Sequence, residues 1–565
     1  MTRPKPFETR KLTVVAQDPS IRNKAGRILT TELSVPAETL AAGPSGARVH
    51  VIDYDTRSGT YYKPRTSRLQ EDIYENISND EILGNPDFHA QNVYAIVSSV
   101  LARFEAALGR HVSWGFTGNA HQIKIAPHAF QDANAFYSRD DEALAFGYFR
   151  GQNKWVYTCL SFDIVAHEAT HAILDGVRPA FDRPSSPDQA AFHEAYADII
   201  ALLSVLQNPE VVDFAFGLDT GAHKGMLGKS QLEFSSLDDA ILFGLAEQMG
   251  KELDPFRKQA LRTSIDLPYG NHLNEAAFQE PHRRGEILVA AVLNAFLAVW
   301  MQRLEPIIGV QSKLVNRGRV VEEGCKAASH LQKISIRALD YLPPTEVTFG
   351  DFLSALITAD SDICHDDSIY NYRDWLLEAF AEYHIKPSSN TAEQKGKWQP
   401  PDGQIAYGFS HFESMQTNAE AVYRFYVENK KAFKANDQAF TRVLSVRPVV
   451  RAGPDGFVLR ETVAELMHTL RVRASELARM GIKKPKDMEN SQIVTLYGGN
   501  TLVFDEYGTL KYNIGTGVAS RRQSKRLDYL WGAGEFAPGL RAKRTFADLH
   551  RRIAMRQSVP VTEAW

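Results

Sequence analysis

Two histidines with metal-binding spacing stand in the sequence His167-Glu168-Ala-Thr-His171. The stretch around them is predicted to be helical over about residues 162–176, and side chains four residues apart lie on one face of a helix. Both imidazoles can therefore reach one Zn²⁺, while Glu168 between them can point at a metal-bound water. The spacing predicts a zinc site of the H-E-x-x-H type. The alternative is a helix whose histidines only pack or cap.

A second predicted helix, near residues 189–206, offers carboxylates for the same site. A catalytic zinc needs a third protein ligand and keeps one position open for water. Glu194 and Asp198 are four residues apart and share a helix face. We expect Glu194 to be the third ligand and Asp198 to accept the free ring N–H of a ligand histidine. His193 lies about 100° around the helix from Glu194, so we expect it to support the site rather than bind the metal.

These motifs and three further segments resemble the thermolysin-like gluzincin metallopeptidases. Asn134-Ala135-Phe-Tyr resembles the family's edge strand, Pro-His282-Arg283-Arg-Gly opens a long apolar helix as the family's catalytic histidine segment does, and residues 336–362 resemble its terminal helices. The resemblance covers about residues 45–386. It implies an α+β fold of two lobes: a β-rich N-terminal lobe, a helical C-terminal lobe, and the zinc helix between them.

The resemblance also implies roles for individual residues. Zinc held by the two histidines and Glu194 would polarise a water and the peptide carbonyl, and Glu168 would be the general base. His282 would donate a hydrogen bond to the oxyanion. Asn134 and the carbonyl of Ala135 would hold the substrate as an added strand. Arg283, or the arginine after it, would supply positive charge near the substrate. The simpler alternatives are that Asn134 is a turn residue and that His282 only begins a helix.

The sequence departs from the family in several places. The family has a tyrosine between the zinc helix and the third ligand, whereas residues 172–193 contain none and Phe181 is the nearest aromatic. His272 competes with His282 for the catalytic role, and Glu280 is only a weak candidate for the aspartate that pairs with the family's histidine. Asp163 matches a calcium-ligand position, but no acidic cluster follows Asp198. One catalytic zinc is therefore expected, and calcium is not.

Composition excludes several classes of protein. The chain has 565 residues, 64 Lys and Arg against 68 Asp and Glu, a formal charge of −4 and three cysteines. Near-neutral charge argues against a protein that coats nucleic acid. The basic residues from Arg521 onward are interpreted as a solvated helix face, with a patch for nucleic acid or an acidic partner as the alternative. Three scattered cysteines imply neither a disulfide framework nor a Cys-rich metal cluster, so histidine and carboxylate must hold any metal. The apolar run 287–301 falls short of the roughly 20 residues that span a bilayer.

Hydrophobic periodicity and linker composition predict five regions. We expect an extended arm at 1–44, a β-rich lobe ending in the zinc helix at 45–176, a helical lobe at 177–386, a linker at 387–415 and an α+β domain of unknown role at 416–565. Further predicted helices include 236–250, 283–304, 416–433 and 461–480. A turn is expected at 453–456, and a hairpin is expected over 494–512.

The sequence therefore predicts a zinc metalloendopeptidase that acts on peptides or proteins. One alternative is a processing peptidase whose cleft the C-terminal region restricts. Another is a degenerate metallopeptidase whose C-terminal region serves as a binding or regulatory module, although the intact Glu168 argues against it. We expect neither a membrane nor a nucleic-acid partner, and the oligomeric state stays open. No secretion signal is recognised, so a cytoplasmic location is expected, with a processed or otherwise exported form as the alternative.

Overall fold

The fold is described from a computed structural model covering residues 8–536, with gaps at 24, 56–57, 64–71, 117–120, 152–154, 184, 217–224, 233–266, 309–313, 390–394, 453–455 and 457. Three sequence predictions lie outside these described residues: the helix at 236–250, most of the turn at 453–456, and the basic residues from 541 onward.

Fifteen strands are found among the described residues. They are β1 Thr9–Val15, β2 Thr30–Pro36, β3 Val49–Val51, β4 Tyr54–Asp55, β5 Thr60–Tyr61, β6 Ile123–Phe130, β7 Ala135–Ser138, β8 Ala143–Arg150, β9 Trp155–Tyr157, β10 Met226–Gly228, β11 Leu314–Asn316, β12 Phe440–Ala452, β13 Val458–Arg473, β14 Ile493–Phe504 and β15 Leu510–Thr516.

Twelve α-helices are found in the same part of the chain. They are α1 Asn79–Gly84, α2 Pro86–Leu108, α3 Phe162–Val177, α4 Pro187–Val205, α5 Pro209–Ala215, α6 Pro281–Leu304, α7 Arg317–Ala338, α8 Phe349–Ile363, α9 Tyr372–Glu382, α10 Phe412–Met415, α11 Ala419–Glu428 and α12 Arg522–Gly532. Strands and helices together make the mixed α+β fold that the sequence predicts.

The N-terminal segment is not the extended arm that its polar composition predicts. β1 and β2 pair as an antiparallel hairpin. Leu33 and Val35 alternate with exposed residues on β2, whereas residues 12–15 of β1 are all buried. The period of two on β2 is the signature of a strand with one buried face, and the Pro and Gly residues around the hairpin obscure it in the sequence. Regular strand structure is therefore present from Thr9 onward.

A sheet of five strands supports the zinc helix. The strand order is β3-β6-β8-β7, and β9 pairs with β8 off this path. β7 pairs with β8 in antiparallel register, with Ala135 opposite Phe146. Since β7 stands at the end of the order, its outer edge pairs with no strand among the described residues. An unpaired edge of this kind can accept an added strand.

Buried helices complete the core. α3 packs against α4, and α4 packs against α6. α6 is long and apolar enough to cross a membrane by length and composition, but 72% of its most apolar window is buried inside the protein. That burial agrees with the prediction of a core helix rather than a membrane span.

The C-terminal region is built on a four-stranded antiparallel meander, β12-β13-β14-β15. The hairpin predicted over 494–512 is confirmed as β14 and β15, but the helix predicted at 461–480 is wrong. β13 occupies Val458–Arg473, and a 3₁₀ helix follows at Ala474–Met480. Both faces of β13 are buried along most of its central part, so its sequence does not show the period of two. Glu461 and Glu465 are four residues apart and so resemble an i, i+4 pair of a helix.

Glu465 binds an arginine across the contact between the meander and the rest of the protein, and Glu461 binds Arg451 of the neighbouring strand β12. Glu465 Oε1 accepts from Arg178 Nη1 at 2.9 Å, and Glu461 Oε2 accepts from Arg451 Nη1 at 2.7 Å. Arg451 also pairs with Asp340, which receives a two-pronged bond from Arg110 at 2.6 and 2.7 Å. The Asp340 and Arg451 side chains are fully buried, so the C-terminal region is held by desolvated charges.

α12 uses its basic residues in the same way. Arg522 Nη1 lies 2.5 Å from Asp351 Oδ2, and Arg526 is buried with its Nη1 donating to the Thr495 carbonyl at 2.9 Å. The expectation of a solvated basic face is therefore wrong for these two residues. Through these contacts Arg522 and Arg526 hold α12 against the rest of the protein.

The first prediction concerns Asp340. Burial alone would raise the pKa of its carboxyl, but Arg110 and Arg451 hold that pKa well below its usual value. Asp340→Asn removes the carboxylate partner of Arg110 and one of the two carboxylates that bind Arg451, so we expect the free energy of unfolding in urea at pH 7 to fall by about 3–5 kcal/mol. Because the native pKa is depressed, this stabilisation is present above about pH 4 and is lost as the pH falls further.

Asp374→Asn is the matched control, since Asp374 pairs with Lys395 on the surface, where both side chains are more than half exposed. It should cost at most about 1 kcal/mol. Equal effects of the two substitutions would contradict the role given to the buried cluster.

Candidate active site

The two motif histidines lie on α3, in which every residue except Gly176 is buried. Ser161, just before the helix, donates its hydroxyl to Asp163 Oδ1 at 2.6 Å. His167 and His171 follow on the inner face, one turn apart. Their Nε2 atoms face each other at 2.9 Å. α3 therefore brings two imidazole nitrogens to a single point.

Glu194 on α4 brings a carboxylate to the same point. Its Oε2 lies 3.5 Å from His167 Nε2 and 3.7 Å from His171 Nε2. The three ligand atoms lie within 4.8 Å of one another, and all three residues are buried. Ligands about 2.0 Å from a tetrahedral zinc are about 3.3 Å apart, so the three separations suit one zinc ion.

The outer nitrogens of both rings are already engaged. His167 Nδ1 lies 2.8 Å from Asp198 Oδ1, and His171 Nδ1 lies 2.9 Å from His193 Nδ1. A carboxylate can only accept a hydrogen bond, so Nδ1 of His167 carries a proton. The bond between the Nδ1 atoms of His171 and His193 can be made with His171 as the donor. When His171 is the donor, the two Nε2 lone pairs face each other, and a cation between them satisfies both. The residues present fit a metal ion.

The charges around His167 also favour a cation. Burial lowers the pKa of the His167 ring, but Asp198, Glu194 and Glu168 outweigh burial and raise that pKa to about 10. A site that stabilises positive charge on an imidazole this strongly would stabilise a divalent cation in its place.

Glu168 connects the histidine helix to the edge strand. Its side chain is fully buried, and its Oε2 accepts the backbone N–H of Tyr137 at 3.1 Å. Tyr137 lies on β7, and its own hydroxyl donates to Asp175 Oδ2 at 2.8 Å. The backbone of the strand expected to bind substrate therefore orients the expected general base. No side-chain pattern reveals a backbone donor, so sequence reasoning missed this contact.

Asn134 and Ala135 lie at the start of the same strand. Asn134 Oδ1 accepts from the Ala135 N–H at 2.8 Å, and the Asn134 carbonyl accepts from the Gly147 N–H at 2.8 Å. Both residues are thus held in a fixed backbone conformation about two residues from the Glu168 contact.

His282 at the start of α6 lies beside Glu194, one of the three candidate metal ligands. Its Nε2 lies 3.4 Å from Glu194 Oε1, and its Nδ1 lies 2.8 Å from Glu280 Oε1. Glu280 also caps α6 by accepting the Arg283 N–H at 2.9 Å. Burial lowers the pKa of His282, but Glu194 and Glu280 raise it well above its ordinary value. Glu280, a weak candidate in the sequence, is thus a carboxylate partner of His282.

The competing residues have other surroundings. His272 is bound to the Pro268 carbonyl at 2.7 Å and to Glu275 at 2.9 Å. Arg283 pairs with Glu286 at 3.0 Å and is 43% exposed. Arg284 is buried and ties α6 to α4 through Asp188. The contacts found for Arg283 do not include the metal cluster.

Phe181 is a core residue rather than part of the site. It is buried, its ring meets Phe192 edge to face at 5.9 Å, and the Arg178 guanidinium stacks on it at 5.0 Å. It gives no hydrogen-bond donor in place of the tyrosine that residues 172–193 lack.

Comparison with known proteins agrees with this geometry. Residues 45–175 match the family model described as thermolysin metallopeptidase, catalytic domain. No curated protein matches the chain. The match confirms the predicted resemblance over that segment and supports a zinc metallopeptidase, a hydrolase whose substrates are peptides or proteins. It includes His167, Glu168 and His171 and ends before Glu194 and His282, so those two residues rest on the geometry alone.

The second prediction concerns metal content. His171→Ala and Glu194→Ala each remove a ligand atom, so each purified variant should hold one zinc equivalent fewer than the native protein, measured by plasma mass spectrometry after dialysis. His272→Ala removes a histidine outside the cluster and should leave the zinc content unchanged. Native zinc content in both ligand variants would rule out this centre.

Proposed function

We propose that the protein is a zinc-dependent endopeptidase in which His167, His171 and Glu194 hold the metal. The observation that carries the proposal is the pair of buried imidazole nitrogens that face each other at 2.9 Å beside Glu194 and Glu168. When bound, zinc lowers the pKa of a coordinated water and polarises the scissile carbonyl. Residues of this chain would serve as the general base, donate a hydrogen bond to the oxyanion and bind the substrate.

Glu168 is the proposed general base. Its carboxylate follows the first ligand histidine directly and is oriented by the Tyr137 N–H. In this role Glu168 accepts a proton from the attacking water and delivers it to the leaving amide nitrogen, so the same carboxyl serves as base and then as acid. Burial at the site keeps bulk water away from the proton that it carries.

His282 is the proposed oxyanion donor. Glu280 on Nδ1 and Glu194 near Nε2 favour the protonated ring, whose Nε2–H would be the donor on the side of the candidate metal ligands. A donor fixed in advance stabilises the charge that develops on the carbonyl oxygen in the transition state. In this account His282 takes a larger share of that charge because Phe181 cannot replace the family's tyrosine.

β7 is the proposed substrate-binding strand. An extended peptide could pair with its outer edge, held by Asn134 and by the Ala135 carbonyl, with its scissile bond near Glu168. Pairing with backbone groups is largely independent of side-chain identity, which supports an endopeptidase acting on unfolded segments. Arg283 remains a proposal for substrate charge at the rim.

A degenerate metallopeptidase is the less favoured alternative, because both ligand histidines and Glu168 are retained. The C-terminal meander is also bound through buried charges rather than by a free linker, which supports a structural role for it. Three cysteines without disulfide partners, Cys159, Cys325 and Cys364, suit the reducing cytoplasm that we propose as the location.

The third prediction tests the general base. Glu168→Gln keeps the size of the side chain and removes its basicity, so we expect the native zinc content and a fall of about 10²–10⁴-fold in kcat/KM on an unstructured peptide library. Glu275→Gln, a carboxylate paired with His272, is the matched control and should retain native activity. Undiminished hydrolysis by Glu168→Gln would remove Glu168 from the mechanism.

The fourth prediction tests the oxyanion donor. His282→Ala should lower kcat by about 10²–10³-fold with little change in KM, since the lost hydrogen bond forms mainly in the transition state. His272→Ala should behave like the native enzyme. The reverse result, a loss with His272→Ala and none with His282→Ala, would transfer the role to His272.

A further inference from the structure

A second cluster of side chains that could bind a metal ion lies where α2, β6 and the turn before α3 meet, apart from the proposed active site. It consists of His89 on α2, His128 on β6, and Cys159 in the 3₁₀ turn Thr158–Leu160 that precedes α3. One ligand atom from each residue lies within 4.8 Å of the other two, and all three residues are buried. We call it the His89–His128–Cys159 cluster.

Hydrogen bonds fix the proton positions on both rings of this cluster. His89 Nε2 lies 2.9 Å from the Ile82 carbonyl oxygen, and His128 Nδ1 lies 2.7 Å from Asp53 Oδ1. Both oxygens can only accept, so these two nitrogens carry the protons. The remaining nitrogens, His89 Nδ1 and His128 Nε2, face each other at 2.8 Å. The arrangement repeats that of His167 and His171, where the corresponding distance is 2.9 Å.

Facing lone pairs in a buried place require a cation, either a shared proton or a metal ion. A proton would make one ring a buried imidazolium, for which the Asp53 carboxylate beside His128 would be the counter-charge. A proton accounts for only two of the three converging groups, however, because it leaves the Cys159 sulfur without a role at the centre. Two imidazoles and a thiol are instead a ligand set that zinc prefers.

Asp53 supplies the supporting carboxylate that such a site needs. Its side chain is 7% exposed, and it orients His128 through the outer nitrogen, as Asp198 orients His167. Metal-binding histidines typically donate their second N–H to a carboxylate or a carbonyl. In this cluster His128 donates to a carboxylate, that of Asp53, and His89 donates to a carbonyl, that of Ile82. Asp53 Oδ2 is buried and has no hydrogen-bond partner among the described residues, which leaves negative charge beside the cluster.

Aromatic rings enclose the cluster. The Tyr157 ring lies 4.7 Å from the His89 ring and 5.4 Å from the His128 ring, and Tyr148 meets His128 edge to face at 6.1 Å. A wall of this kind excludes water and substrate. An enclosed position keeps substrate away from the ion, so the role expected for the ion is structural.

We propose that His89, His128 and Cys159 bind a second, structural zinc ion that fixes the start of the catalytic helix. The ion would join α2, β6 and the turn before α3. Cys159 lies three residues before Phe162, where α3 begins, and its carbonyl already accepts from Asn92 Nδ2 at 2.8 Å. Loss of this ion would loosen the segment that sets the position of His167.

The experiment is a zinc count on the full-length protein after exhaustive dialysis. The native protein should hold two equivalents, Cys159→Ser one, and His171→Ala one. Cys325→Ser, a half-buried cysteine outside the cluster, is the matched control and should hold two. The combination of Cys159→Ser with His171→Ala should hold none. Because the two sites are emptied by different substitutions, failure here is distinguishable from failure of the proposed active site.

A measurement on the native protein covers the case in which Cys159→Ser does not fold. X-ray absorption at the zinc edge should reveal a sulfur neighbour at about 2.3 Å, averaging half an atom per zinc, and the signal should double in His171→Ala because only the thiolate site remains filled. One zinc equivalent in the native protein, or two with no sulfur neighbour, would overturn the proposal and leave His89 and His128 as a hydrogen-bonded pair alone.

Discussion

His167 and His171 bring their Nε2 atoms within 2.9 Å of one another on a helix that is buried almost throughout. When both outer nitrogens carry the protons, this contact is repulsive unless a cation lies between the rings, and the surrounding carboxylates of Glu194, Asp198 and Glu168 provide a strongly negative field in which one can bind. The other features of the site follow from this requirement. α4 must supply the third ligand and a carboxylate for the outer nitrogen, and β7 must orient Glu168.

The C-terminal meander, which is distant from the site in sequence, contacts the ends of α3 and α2. Arg178 follows α3 directly and bonds Glu465 in the C-terminal meander. Arg451 from β12 pairs with Asp340, and the β12 backbone bonds the end of α2, where the Val450 N–H donates to the Gly109 carbonyl at 3.0 Å. Gly109 has φ +70°, and a side chain there would collide with the Val450 carbonyl. The C-terminal region thus contacts the end of α3, which carries the two histidines, and the end of α2, which packs against α3.

The sequence predicts the local part of this site and misses the parts that depend on tertiary structure. Residues four apart on a helix share a face whatever surrounds them, so the spacing of His167 with His171 and of Glu194 with Asp198 could be interpreted directly. The contact of Tyr137 with Glu168 uses a backbone donor and has no sequence signature. β13 is misjudged because burial on both faces removes its alternation, and the N-terminal hairpin because turn residues interrupt it. His89, His128 and Cys159 are so far apart in sequence that only the fold brings them together.

We attribute the close approach of the two motif histidines to a metal ion rather than to a shared proton. Anomalous diffraction from crystals of the native protein, recorded on either side of the zinc absorption edge, distinguishes the two. We expect a peak about 2.0–2.1 Å from His167 Nε2, His171 Nε2 and a Glu194 carboxylate oxygen. Density without such a peak, with the two nitrogens still in hydrogen-bonding contact, would contradict the attribution to a metal ion.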